Sequence, residues 1–147
     1  MDIIEASVLD AQEILSLQKL CYLSEAEIYN DFKIPPLTQS LDDIIKEFDN
    51  YKFYKVTDGS RMVGSVRAAV NGDTCTIYKL IVHPDYQNKG IGSSLIRKVE
   101  ESFCNKRFEI FTGHKSEKNL YLYQKMGYKI FKKEKLTGDI DMLYLAK

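Results

Sequence analysis

What the 147-residue chain lacks already narrows its chemistry. Its three cysteines, Cys21, Cys75 and Cys104, are odd in number and far apart, and no C-x-x-C occurs. That pattern offers neither a disulfide framework nor a zinc site, so no metal is expected; it fits reduced, mostly buried cysteines of a cytoplasmic protein. Charge of one sign is not in excess, since 21 basic residues balance 21 acidic ones. A nucleic-acid-binding domain ordinarily carries a basic surplus, so nucleic acid is not an expected partner. The first residues, MDIIEASVLDAQE, have neither the basic start nor the apolar run of a secretory signal. No stretch approaches the ~20 apolar residues that span a bilayer, so no membrane partner is expected. Repeats and low-complexity segments are also absent. The length suits one domain over residues 1–147, with a core that needs no disulfide staples.

What is present is a regular alternation of strand and helix signals. IIEAS (3–7) reads as a strand. LDAQEILSLQKLCYL (9–23) reads as a helix, with Asp10 and Glu13 spaced as a capping box and a stripe of Ile14, Leu17, Leu20 and Cys21. From Ser24 to Gln39 the pattern fails, and Pro35-Pro36 argues against a helix there. Ser40 caps a second helix with a stripe of Leu41, Ile44, Ile45 and Phe48. Strands follow over 52–58, 61–70 and 74–82, joined by Asp58-Gly59 and Asn71-Gly72 turns. The middle strand alternates Met62, Gly64, Val66, Ala68 and Val70 on one face, with Arg67 on the other. The last is apolar on both faces at its end, which places it inside a covered sheet. A helix over about 90–104, a strand over 107–112, a helix over 116–126 closed by Gly127, and a final pair of strands (128–134, 140–146) complete the chain. Residues 74–82 and 107–112 flank one helix, so they should run parallel. The order predicts an α+β fold.

The segment HPDYQNKGIGSSLI (83–96) is the chemically loaded one. A strand end feeds a loop, and the loop feeds a helix whose first N–H groups lack intrahelical partners and carry partial positive charge. Gly90 and Gly92 have no Cβ to keep an anion off the main chain. Each charge-assisted hydrogen bond there contributes ~1.5–3 kcal/mol, so several can hold a diphosphate beside Lys89. It is not a Walker loop, because no Lys follows Gly92. Nor is it the dinucleotide fingerprint, because Leu95 stands at the third glycine and the turn lies too far from the strand.

The same residues resemble the acyl-CoA-binding signature of the GNAT superfamily of N-acyltransferases, an apolar strand end, x-P, then Q/R-x-x-G-x-G/A; here the last element is Gln87-Asn88-Lys89-Gly90-Ile91-Gly92. Leu122-Tyr123-Gln124-Lys125-Met126-Gly127-Tyr128 is similar to that family's L-Y-x-K-x-G-F/Y helix. The resemblance covers nearly the whole chain. It implies a GNAT-like fold, a central twisted sheet of about seven strands, mixed but mostly antiparallel, with helices on both faces. It implies an acetyl-CoA-dependent N-acetyltransferase that acts by direct attack of a primary amine on a small molecule or peptide, with no metal, and it leaves room for a homodimer. By the resemblance, Gln87, Asn88, Lys89, Gly90, Ile91, Gly92 and Ser93 bind the diphosphate. Leu80, Ile81 and Val82 pair with pantetheine as an added strand, and the N–H of Val82 faces the thioester oxygen. Tyr123 stabilises the departing thiolate. Asn119, one helical turn earlier on the same face, either holds a cofactor amide or the thiol or bonds locally near the helix start.

Two departures from the family stand out. The strand before the loop reads Thr76-Ile77-Tyr78-Lys79, without the glutamate that many members use as a base, and Ser116 stands where many carry an asparagine. Glu109 and His114 are the replacement bases to consider, alongside a low-pKa amine or a water chain that needs none. Residues 24–39 and the segment after Lys133 should shape the acceptor pocket. Glu25, Glu27 and Asp31 there either attract a cationic amine or form a solvated face, and the solvated face is the plainer expectation. The missing carboxylate also allows a rival reading, a non-catalytic acyl-CoA sensor on the same fold.

Overall fold

The computed structural model describes residues 1–147. One seven-stranded sheet runs in the order β1-β2-β3-β4-β5-β7-β6. Its strands are β1 (Ile3–Glu5), β2 (Lys52–Asp58), β3 (Arg61–Asn71), β4 (Thr74–Val82), β5 (Arg107–Gly113), β6 (Lys129–Thr137) and β7 (Ile140–Ala146). Every neighbouring pair is antiparallel except β4–β5, so the parallel pair expected around one helix is present. β6 is exposed along its whole length and carries Lys129, Lys132, Lys133 and Lys135, which discourage edge-to-edge pairing.

Helices cover both faces. α4 (Ile91–Ser102) packs Ile91, Leu95, Ile96 and Val99 into the larger core with Val66, Ala68, Cys75, Ile77, Phe108, Ile110 and Leu145. Tyr123 of α5 (Glu117–Lys125) joins it, and Gly127 ends that helix at φ +96° as its sequence position requires. On the opposite face, α1 (Ala11–Tyr29) and α3 (Leu41–Glu47) bury Ile14, Leu15, Leu17 and Ile44 against Phe53, Met62 and Ile81. Arg67 also lies on this face and is 1% exposed; it stacks 4.8 Å over Phe53 and binds Glu47 and Gln18.

Several local expectations are corrected. The capping box lies one turn earlier, with Ser7 N donating to Asp10 Oδ2 (2.9 Å), while Glu13 accepts from Met62 N (3.0 Å). Leu20 and Ile45 point outward, and Leu15 is buried instead. Pro35 starts a single helical turn, α2 (Pro35–Thr38), because a proline at the first position loses no helical hydrogen bond. In β3 the simple alternation fails: register shifts opposite Val56/Thr57 and within Ser65–Arg67 let Val63 join the larger core, and Val70 is exposed. α1 does not stop near residue 23; it runs to Tyr29.

Candidate active site

β4 makes the site possible by changing course at Lys79. Ser65 pairs with Ile81, yet Arg67 pairs with Tyr78, so β4 spends one more residue than β3. Lys79 takes φ +47°, the left-handed conformation of a bulge. Pairing with β5 stops at Ile77–Ile110, and β5 beyond that point pairs only with β7. The end of β4 therefore leaves its neighbour and opens a wedge. His83 N donates to Val63 O (2.8 Å), which sets the alternation of this ladder. Val82 is thereby turned away from β3, its N–H and C=O on the open edge, while Ile81 faces β3. The Val82 carbonyl accepts from Cys21 Sγ (3.3 Å) and Gln87 Nε2 (3.4 Å). Burial pushes the Cys21 thiol up to about 12, so it stays protonated and is no nucleophile at neutral pH.

The glycine loop shows the geometry an anion needs. Asn88 and Gly90 have φ +62° and +83°, and α4 starts directly after Gly90 with no side-chain cap. No main-chain N–H from Gln87 to Ser93 has a partner in the protein; Ser94 N is the first, donating to Gly90 O (3.0 Å). The two glycines act differently. A Cβ on Gly90 would meet nothing within 4 Å, so that position needs glycine for its dihedral. A Cβ on Gly92 would press on Leu122 at 3.2 Å and approach Leu80 and Val82 at 3.9 Å, so Gly92 keeps the wedge between β4 and α5 clear. Ile91 offers only its main chain, its side chain being buried in the core. Lys89 is exposed, 5.2 Å over the Tyr86 ring.

α5 and α1 close the other side. Tyr123 is 4% exposed; its hydroxyl has no partner within the protein, and since no fully buried side-chain oxygen lacks a partner, that hydroxyl keeps access to solvent. Burial first, then Tyr22 and the Glu25 carboxylate, hold its phenol above the usual range. Ser116 occupies the N-cap position of α5 but caps nothing. Its hydroxyl donates to Glu25 Oε2 (2.6 Å) and lies 2.7 Å from the Tyr29 hydroxyl, which accepts from Lys115 N (3.1 Å). Asn119 Nδ2 reaches Glu25 Oε1 (3.2 Å) and Thr112 Oγ1 (3.3 Å), so its amide nitrogen is engaged by side chains. Gly113 is what admits Tyr29, since a Cβ there would overlap the Tyr29 hydroxyl.

The two expected replacement bases lie elsewhere. Glu109 sits opposite Thr76, in the paired part of β4–β5, and binds Arg107 Nε (3.0 Å). His114 Nδ1 accepts from Asp141 N (2.9 Å) and ties β5 to β7. Glu25 is half-buried in a hydrogen-bonded network, which corrects the expectation of a solvated face; Glu27 is exposed, and Asp31 caps Lys33 N in a local turn (2.9 Å).

No group of three or more His, Cys, Asp or Glu is arranged to hold a metal ion, and no helix is long and apolar enough to cross a membrane. The Bacillus subtilis UPF0157 protein YqkA is 29% identical over 119 residues, 80% of this chain but 34% of that protein, so this chain spans about a third of YqkA. Among solved structures, smu.2055 of Streptococcus mutans UA159 has a TM-score of 0.85 at 19% identity, over 100% of this chain and 98% of that one. The PaiA N-acetyltransferase of Thermoplasma acidophilum, solved in complex with coenzyme A, has a TM-score of 0.74 at 16% identity, over 97% and 96% of the two chains. The family profile of the acetyltransferase (GNAT) domain matches residues 49–130, from just before β2 to the start of β6. With the motif, the splayed strands and this match in agreement, the chain belongs to the GNAT acetyltransferase family.

Proposed function

We propose that the protein transfers an acetyl group from acetyl-CoA to a primary amine of a small molecule or peptide by direct attack. The observation that carries this is the run of unpartnered main-chain N–H groups from Gln87 to Ser93, beside an open strand edge, together with a tyrosine whose ring is buried but whose unpartnered hydroxyl stays accessible. The residues fit the cosubstrate. The N–H groups of the loop and of the α4 N-terminus hold the diphosphate. Leu80 and Val82 present main-chain groups on the free edge of β4 for the pantetheine amides. Ile81 supports them from the core rather than binding. Bound acetyl-CoA supplies an activated thioester. The Val82 N–H donates to the thioester oxygen, where negative charge grows during attack. Tyr123 donates a hydrogen bond to the sulfur as charge develops on it. Burial holds its phenol protonated, which favours donating this hydrogen bond over giving the proton away.

Tyr123→Phe tests this reading against the sensor. The hydroxyl has no internal partner, so its loss leaves the protein's own hydrogen bonds intact. Thiol release from acetyl-CoA in the presence of an amine should fall about 100-fold, with the acetyl-CoA dissociation constant within about twofold of wild type. Wild-type protein that binds acetyl-CoA but acetylates no amine in a broad panel is the result that favours the sensor. Failure of acetyl-CoA to raise the melting temperature removes both readings.

A further inference from the structure

We infer that Glu25 is the group that receives the acceptor amine and takes its proton, which makes the acceptor a cationic primary amine. The inference rests on the transferase reading and adds the base that β4 lacks. Glu25 lies eight residues, about two helical turns, past Leu17 of α1 and reaches Ser116 and Asn119 at the start of α5. Both carboxylate oxygens are fixed, one by Ser116 Oγ (2.6 Å) and one by Asn119 Nδ2 (3.2 Å). A carboxylate accepts about four hydrogen bonds, so capacity remains on each oxygen. The donors form a directed chain: Lys115 N–H to Tyr29, the Tyr29 hydroxyl to Ser116, and Ser116 to Glu25. Such a chain sets the carboxylate's orientation more firmly than one bond would.

Glu25 takes part in none of the protein's ion pairs. The ionisable groups that sense it are Tyr22 and Tyr29 of its own helix and Tyr123 of α5, all phenols; on the β5 side, Thr112 meets Asn119, which also binds the carboxylate. A half-buried carboxylate without a cation thus shares its surroundings with the tyrosine that faces the wedge. Asn119, one turn before Tyr123, bridges the two positions.

The chemistry balances. The amine arrives as an ammonium held by Glu25, which takes one proton and passes it to water, leaving a neutral amine with a free lone pair. That lone pair forms the new bond to the acetyl carbon while the carbon–sulfur bond breaks and the sulfur keeps the electron pair. The nitrogen then loses its second proton by way of Glu25 to water, and the sulfur takes up one proton from solvent beside Tyr123, so one proton is released overall. A purely structural role, in which the Glu25 charge merely favours the N-terminus of α5, predicts a change in stability alone.

The pH dependence separates these roles. Wild-type protein and Glu25→Gln are assayed for thiol release with spermidine, tyramine and a lysine-containing peptide, and the fastest substrate is the probe. With a carboxylate to hold the ammonium's proton, wild-type kcat/KM is flat between about pH 6 and 9. Without it only free amine reacts, so the kcat/KM of E25Q rises about tenfold per pH unit. The expected loss is about 100-fold at pH 7 and narrows steadily as the pH rises. Titration calorimetry of the probe into protein saturated with coenzyme A should show about tenfold weaker binding to E25Q, and coenzyme A affinity should not change. Glu25→Asp should recover the flat profile at reduced rate. Parallel profiles for wild type and E25Q, or equal rates, overturn the assignment and leave the transferase reading standing. Wild-type silence with every amine overturns the transferase reading, and this inference with it.

Discussion

The two sides of the wedge are built from different material. On the glycine-loop side everything lies within residues 79–93 and the working groups are main-chain amides, oriented by the bulge at Lys79 and the left-handed Gly90. On the α1 side the working groups are side chains brought together from distant parts of the chain, with Tyr29 and Ser116 separated by 87 positions and Glu25 and Asn119 by 94. A main-chain site constrains dihedrals and so leaves its mark in local residue types. A side-chain site of this kind depends on the whole topology bringing α1 over β5 and α5. The first side can therefore be shared across a family while the second varies with the acceptor, which matches a chain whose loop fits the family motif and whose base position does not.

The largest effect is expected where that contrast is sharpest. Gly90→Val introduces no clash, since a Cβ there meets nothing within 4 Å. It does force a β-branched residue to φ +83°, at ~1–2 kcal/mol or more, and tilts the N–H groups that follow. With two charge-assisted bonds weakened, the acetyl-CoA dissociation constant should rise about 100-fold by calorimetry, and amine binding in the presence of any residual cofactor should not change. An unchanged dissociation constant would mean that the loop does not work through its main chain.

Gly113→Ala is the matching break on the other side. The new methyl group overlaps the Tyr29 hydroxyl and lifts the end of α1, which separates Glu25 from Ser116. The amine KM should rise about tenfold while the acetyl-CoA dissociation constant stays within about twofold. Adding Tyr29→Leu relieves the overlap without restoring the hydrogen bonds, so the melting temperature should recover and the KM should not. If both constants shift together, the two sides are one cooperative unit and the division fails.

This asymmetry also explains what could be read in advance. The strands of the sheet and the helices over 91–102 and 117–125 follow from period and turn chemistry, and the anion-binding loop follows from two glycines and a helix start. The end of α1 does not. Its buried face continues through Gln18, Tyr22, Glu25, Ala26 and Tyr29, but after Leu17 most of those residues are polar because their partners are Arg67, Ser116 and Lys115 rather than core carbons. A hydrophobic stripe is a good signal only while the helix packs on something apolar. The bulge at Lys79 was equally hidden, since nothing in Thr76–Val82 marks an extra residue until the strand is paired with β3.

The smallest effect concerns how α1 is held at its other end. Asp10 Oδ1 binds Lys55 Nζ of β2 at 2.7 Å and its Oδ2 accepts from Ser7 N at 2.9 Å. Burial alone would raise the Asp10 pKa, but the hydrogen bond from Lys55, the Ser7 N–H and the Lys55 charge together hold it below the usual carboxyl range. A folded-state pKa depressed below the unfolded value near ~3.9 adds stability at higher pH, and that stability disappears as the pH falls through the folded value. Asp10→Asn should therefore lower the melting temperature by about 3 °C at pH 7, equivalent to about 1 kcal/mol, and the gap to wild type should narrow as the pH falls below the ordinary carboxyl range and close once it passes the folded-state value. Because this anchor touches neither the loop nor Glu25, acetyl-CoA affinity should not move, and the amine KM should shift less than in Gly113→Ala. A larger shift in amine KM than that would show that the position of Glu25 is set along the whole length of α1 and not by its local bonds to Ser116 and Asn119.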